Sequence, residues 1–167
     1  NMGFDLSGLN PKNETGEYFR NNVWWWRPLA QYVLDETKVI PEADKEKWHY
    51  NDCYEVSNEF AIQIARQLDH LVKVGHAKSF EDSWETYRKK LEKHNEKVEK
   101  ELEKHCEKVK KKLNKSYLAP KDFPEEDKKI WNKIYEKRKS DANYPFSVEN
   151  VKEFSDFCKN SGGFTIG

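Results

Sequence analysis

The stretch Ser57-Asn-Glu-Phe-Ala-Ile-Gln-Ile-Ala-Arg-Gln-Leu-Asp-His-Leu-Val-Lys-Val-Gly75 decides the fold class. Phe60, Ala61, Ile64, Ala65, Leu68, Leu71 and Val72 recur at the three- and four-residue spacing that puts them on one helical face. Ser57 is a good N-cap, Glu59 suits the positive first turn, and Gly75 closes the helix. Downstream, Ser79 reads as the cap of a longer helix running to about Ser116. Its apolar positions are Trp84, Tyr87, Leu91, Val98, Leu102, Val109, Leu113 and Tyr117, with His94 and His105 filling the gaps. The period is about 3.67 residues and the length ~54 Å, which predicts a nearly straight helix that projects or pairs with a second long element.

Pro120 and Pro124 interrupt the chain, and Glu125–Lys139 reads as a helix able to fold back along the long one. Ser147 caps a last helix with Val148, Val151, Phe154, Phe157 and Cys158 on its buried face, stopped by Gly162 and Gly163. Upstream, Pro28 fits the first turn of a helix from about Trp26 to Glu36, and Glu42 to Trp48 gives a further helical turn. Gly3 to Leu9 alternates weakly, as do Phe164 and Ile166 around Thr165. Both read as strands, and pairing of the second with Gly3 to Leu6 would join the two chain ends. The predicted fold is therefore mainly α with a small β element. Residues 1–78 plus 141–167 form a compact module, and residues 79–140 form a charged helical hairpin insert.

Composition narrows the functional classes. Hydrophobic and charged residues each make up 36% of the 167 residues, and net charge is zero. A modest core beneath a heavily solvated surface follows, and no global field points to nucleic acid or acidic lipid. The longest apolar run, Val23 to Trp26, is far short of the ~20 residues of a membrane span. The 6 Trp, 8 Tyr and 9 Phe are too many for a disordered chain. Asn1 before Met2 reads as an expression scar. No signal peptide follows, so a cytoplasmic location is expected. Cys53, Cys106 and Cys158 are odd in number and widely spaced, as reduced thiols would be, and no Cys-x-x-Cys spacing suggests zinc.

No catalytic, cofactor or metal motif is present. His94 and His105 lie three turns apart on one helix, too far to share an ion, and read as solvated surface. His49 and Asp52 share a polar loop, where loop hydrogen bonding competes with an acid–base role. Lysines and glutamates alternate along the long helix, and Glu85–Lys89, Glu96–Lys100 and Glu107–Lys111 are helix-stabilising pairs. Trp84 to Lys115 is net positive, but this alternation favours a structural helix over a nucleic-acid grip.

The informative segment is Tyr18 to Arg27. Three consecutive tryptophans cannot all face one core, so at least one faces outward or into a cleft. Arg20 and Arg27, two of only five arginines, flank the run. Indole plates stack on rings, and guanidinium groups fork to phosphate. A ligand site of Arg20, Asn22, Trp24, Trp25, Trp26, Arg27, Asn51 and Asp52 is one reading. A tryptophan-rich core with arginines paired to carboxylates is the other, and a protein-contact patch is the third.

The segments Gly3-Phe-Asp, Gly16-Glu-Tyr-Phe-Arg-Asn-Asn-Val-Trp-Trp-Trp-Arg-Pro-Leu29 and Tyr144-Pro-Phe-Ser to Asn160-Ser-Gly-Gly-Phe164 resemble a group of small uncharacterised phage and prophage proteins. The resemblance covers roughly the first 75 and last 25 residues, and implies a phage setting, a module built from the two chain ends and a variable middle. Relatives in that group often carry a cysteine-rich middle. The lysine–glutamate helix stands there instead, so no metal site is carried over.

The expectation is a non-enzymatic phage-type binding protein that sequesters an anionic, nucleotide-like signal of host defence through the Trp/Arg/Asn cluster. The alternative is a protein-interaction or oligomerisation module, acting on a host protein or a second copy through the long helix and an aromatic patch. A nucleotide-directed enzyme using His49 and Asp52 ranks last.

Overall fold

The computed structural model describes residues 3–167, so the reading of Asn1 and Met2 lies outside the described residues. The first strand, β1 (Gly3–Gly8), is followed by a 3-10 turn at Glu14–Gly16 and by β2 (Tyr18–Asn22). Helix α1 (Val23–Thr37) continues directly from β2. A 3-10 segment over Glu42–His49 leads to β3 (Tyr54–Val56), α2 (Asn58–Lys73) and α3 (His76–Leu113). Helix α4 (Glu125–Tyr135), α5 (Val148–Asn160) and β4 (Phe164–Ile166) complete the order. The chain is mainly α, as the periodicities predict. It divides into two compact units, residues 1–85 with 144–167 and residues 86–143.

In the first unit the strands form one antiparallel sheet in the order β2-β1-β4-β3. The terminal strands do pair, with Leu6 opposite Ile166 and Gly8 opposite Phe164, and the Gly167 N–H adds a bond to the Asp5 carbonyl at 2.9 Å. The pairing is displaced toward Gly8 from the expected Gly3–Leu6. Side chains alternate across the sheet. Phe4, Leu6, Phe19, Val56, Phe164 and Ile166 are buried on one face, with the core built from α1, α2 and α5. Tyr18, Arg20, Asp5, Ser7 and Glu55 take the alternate positions.

Both ends of the chain are stitched together beyond the sheet. The Leu9, Asn10 and Lys12 amides donate to the carbonyls of Gly163, Ser161 and Asn160. Gly16 passes so close that a Cβ there would sit 1.9 Å from the Asn160 carbonyl oxygen. Gly163, at φ +94°, lies against the backbone of Val56–Asn58, so two conditions together demand glycine.

Several boundaries differ from the sequence reading. Helix α1 starts at Val23, because the Asn22 side chain accepts from the Trp25 N–H at 3.1 Å and caps it there. Pro28 consequently stands inside the helix, where its missing N–H leaves the Trp24 carbonyl without the usual bond. Strand β2 is an element that the sequence reading left unassigned. Helix α3 starts at His76 immediately after Gly75 at φ +84°, so Ser79 is an interior residue. It ends at Leu113, where Asn114 adopts a left-handed φ of 54°. Helix α4 ends at Tyr135, four residues before the predicted Lys139.

In the second unit, residues 118–142 fold back along α3, as predicted. Val109, Leu118 and Phe123 form a small separate core with Cys106, Leu113 and Trp131 against it. His94 and His105 are part of this packing and not solvated surface. His105 Nε2 meets the Asp127 carbonyl at 3.0 Å, and His94 Nε2 meets that of Lys137 at 2.8 Å. Asn95 and the Lys139 backbone exchange two hydrogen bonds, and Arg88 donates twice to the Ala142 carbonyl. Glu107 pairs with Lys110 and not with the expected Lys111. The three cysteines are free thiols.

Candidate functional site

Asn22 fixes where α1 begins, and that start decides where each tryptophan points. Trp26 is fully buried. Its Nε1 donates to the Trp48 carbonyl at 2.7 Å, and its ring stacks between Phe4 at 5.5 Å and Trp48 at 5.9 Å. Trp26 therefore offers no face to a ligand, and the core reading holds for it. Trp24, two positions earlier, is 44% exposed and leans on Tyr144, their ring centroids 5.1 Å apart. Trp84 Nε1 donates to the Tyr144 carbonyl at 2.6 Å. Trp25 is half-buried on the flank of the helix.

Several residues of the predicted ligand cluster carry structural contacts of their own. Arg20 lies opposite Asp5 on the sheet and bonds it at 3.1 Å, and Tyr18 also donates to Asp5. That bond, ahead of the neighbouring carboxylate charge, raises the Tyr18 phenol above its usual value. Asn22 is consumed as a helix cap, and Asn51 donates to the Gly3 carbonyl at 3.0 Å. Asp52 is exposed in its loop and shares no hydrogen bond or ion pair with His49. Arg27 shares the outward stripe of α1 with Trp24, Gln31 and Asp35, and has no hydrogen bond or ion pair among the described residues. Burial, and then the Arg27 charge, lower the pKa of His49.

Beside Trp25 is a shallow depression of about 230 Å³, lined also by Asn21, Ser147, Glu149, Asn150 and Glu153. Asn21 and Asn150 bond each other through both carboxamides, at 3.1 and 2.9 Å. Ser147 Oγ accepts from the Asn150 N–H at 3.0 Å and caps α5. Sequence reasoning singled out Trp25 and the Asn21-Asn22 dipeptide here and missed Ser147, Glu149, Asn150 and Glu153 as lining residues. The Asn-Asn dipeptide and the Ser147 cap were visible, but their meeting depends on contacts spanning 129 residues of chain.

No protein-family model, no curated protein and no solved structure matches this chain.

The local geometry therefore has to carry the chemistry. Among the described residues no group of three or more His, Cys, Asp or Glu side chains is gathered as a metal site would gather them. No helix of the described residues is long and apolar enough to cross a membrane. The surface that remains is aromatic and amide-rich, with two carboxylates at its edge.

Proposed function

We propose that the chain is a non-enzymatic binding protein. The unit built from its two ends is the frame, and the outer side of the Trp24–Trp25 segment is the contact surface, met by a protein partner. One observation supports this reading. Within the Gly16–Leu29 stretch the fold accounts for Gly16 by close approach, Phe19 and Trp26 by core packing, Arg20 by Asp5, Asn21 by Asn150 and Asn22 by capping. Trp24 keeps 44% of its surface exposed beyond its contact with Tyr144, and Trp25 is half-buried, so both indoles present aromatic surface outside the core. Exposed Trp and Tyr on a rigid support are the residues that most often dominate protein interfaces.

The test compares the wild-type chain with the Trp24→Ala/Trp25→Ala double variant. Both are used as bait in lysate of bacteria, with and without phage infection, and the captured species is identified and remade. Direct binding of that purified partner by the wild type, lost in the double variant at unchanged thermal stability, supports the reading. Equal binding by both chains overturns it.

A second reading rests on Arg27, which shares the exposed stripe of α1 with Trp24 and lacks an ion-pair partner. In it the chain sequesters a nucleotide-like signal. Stabilisation by one nucleotide class in a thermal-shift panel, abolished by Arg27→Gln, would move the conclusion there, since a ligand bound to the native state raises stability by mass action.

A further inference from the structure

We infer that the depression beside Trp25 receives an arginine side chain of the partner. The inference rests on the protein-contact reading above and names its chemistry. Three of the polar side chains lining the depression are already engaged. Ser147 holds the start of α5, and Asn21 and Asn150 satisfy each other. The uncommitted polar groups are the carboxylates of Glu149 and Glu153, which have no hydrogen bond or ion pair among the described residues.

Glu149 sits in the first turn of α5, where the helix dipole favours a negative charge. Glu153 is one turn on, beyond that benefit, and at i, i+4 from Glu149 the two carboxylates repel. Lys152 lies between them in sequence but does not line the depression. The local fold thus holds two like charges on one face without an internal counter-charge, beside a partly exposed indole.

A cation relieves that repulsion. A planar guanidinium also fits the other wall, because it stacks on an indole face and forks to carboxylate oxygens in one pose. A phosphate or nucleotide would meet the same two carboxylates with the wrong sign.

The probe is acetyl-Gly-Arg-Gly-amide, titrated into the full ¹⁵N-labelled chain, with the neutral isostere acetyl-Gly-citrulline-Gly-amide as control. Trp25→Phe assigns the Trp25 indole N–H resonance. The expected result is a saturable shift of that resonance by the arginine peptide, with a millimolar Kd suited to a single side chain. The citrulline peptide should give no saturable shift, and Glu149→Gln/Glu153→Gln should weaken the arginine effect by about tenfold or more. The Gln variant keeps size and helix propensity, so its melting curve separates a charge effect from misfolding. An equal response to both peptides, no response, or full binding by the Gln variant overturns the inference. If the arginine peptide fails while the Trp24→Ala/Trp25→Ala variant still loses its partner, the contact surface stands and only its cation chemistry is wrong.

Discussion

Asn21 and Asn150 hold each other by both ends of their carboxamides, Asn21 Nδ2 donating to Asn150 Oδ1 at 3.1 Å and Asn150 Nδ2 donating back at 2.9 Å. One lies on β2 and the other in the first turn of α5, and Asn150 is buried. The pair ties the two chain segments whose surfaces meet at the depression beside Trp25.

Asn150→Asp conserves shape and removes one of the two donors, leaving a carboxylate oxygen facing the Asn21 carbonyl oxygen. A buried unsatisfied acceptor costs roughly 1–3 kcal/mol, so urea denaturation at neutral pH should show a loss of that order. Protonating the introduced carboxyl restores a donor. Its folded pKa is therefore raised, and the loss relative to wild type should shrink as pH falls toward ~4. A penalty that is the same at both pH values would show that the two amides are not coupled.

Asp69 joins α2 to α5, accepting from Lys159 Nζ and from Ser155 Oγ, each at 2.6 Å. Burial works against its charge, but those two hydrogen bonds and the lysine charge outweigh it and hold the carboxyl below its usual value. A depressed acid stabilises the fold above its unfolded pKa near ~4, and that contribution is lost as pH falls through the lower folded value. Lys159 is raised, first by its bond to Asp69, so its contribution is present below ~10.4 and lost at higher pH. Both groups are about half exposed, so the expected effect at pH 7 is under about 1 kcal/mol. In Asp69→Asn the acid side of the stability–pH curve should flatten relative to wild type. An unchanged slope there would remove the pair from the account of stability.

His49 is depressed by burial first and by the Arg27 charge second. Arg27→Gln should therefore raise its pKa toward ~6.5, as read by NMR titration of the imidazole, without restoring it fully. For a histidine held neutral by the fold, stability is present above the unfolded pKa and falls as pH drops through the folded one. Arg27→Gln should soften that fall. If the His49 titration does not move, the Arg27 charge is not felt at that ring.

Much of the fold was legible because its signals are local. The Ser57 and Ser147 caps and the apolar stripes of α2 and α5 predicted both helices within a residue or two. The pairing of the terminal strands was legible as alternation, although its register was not, since register depends on which residues the helices cover. The start of α1 was misjudged because Pro28 is a strong local cue, whereas the deciding contact is the Asn22 side chain on the Trp25 amide. The histidines of α3 were misjudged for a related reason. A polar ring on a charged helix looks solvated until the returning segment places the Asp127 and Lys137 carbonyls against it. At the site, the tryptophan run announced that something must face outward, and Trp24 does. The carboxylates that give the depression its sign lie on another helix, and only tertiary packing brings them to Trp25.

The position of β1 between β2 and β4 has a consequence for how the protein is made. During synthesis β1 and β2 can pair at once through the short connection between them. The other edge of β1 stays open until β4 emerges, after all the intervening helices have been translated. For that interval the nascent chain carries a two-stranded ribbon with one bare edge, the kind of surface on which strands of other molecules add. The long separation between partners also predicts slow closure, because the loop entropy must be met before the last strand is rewarded.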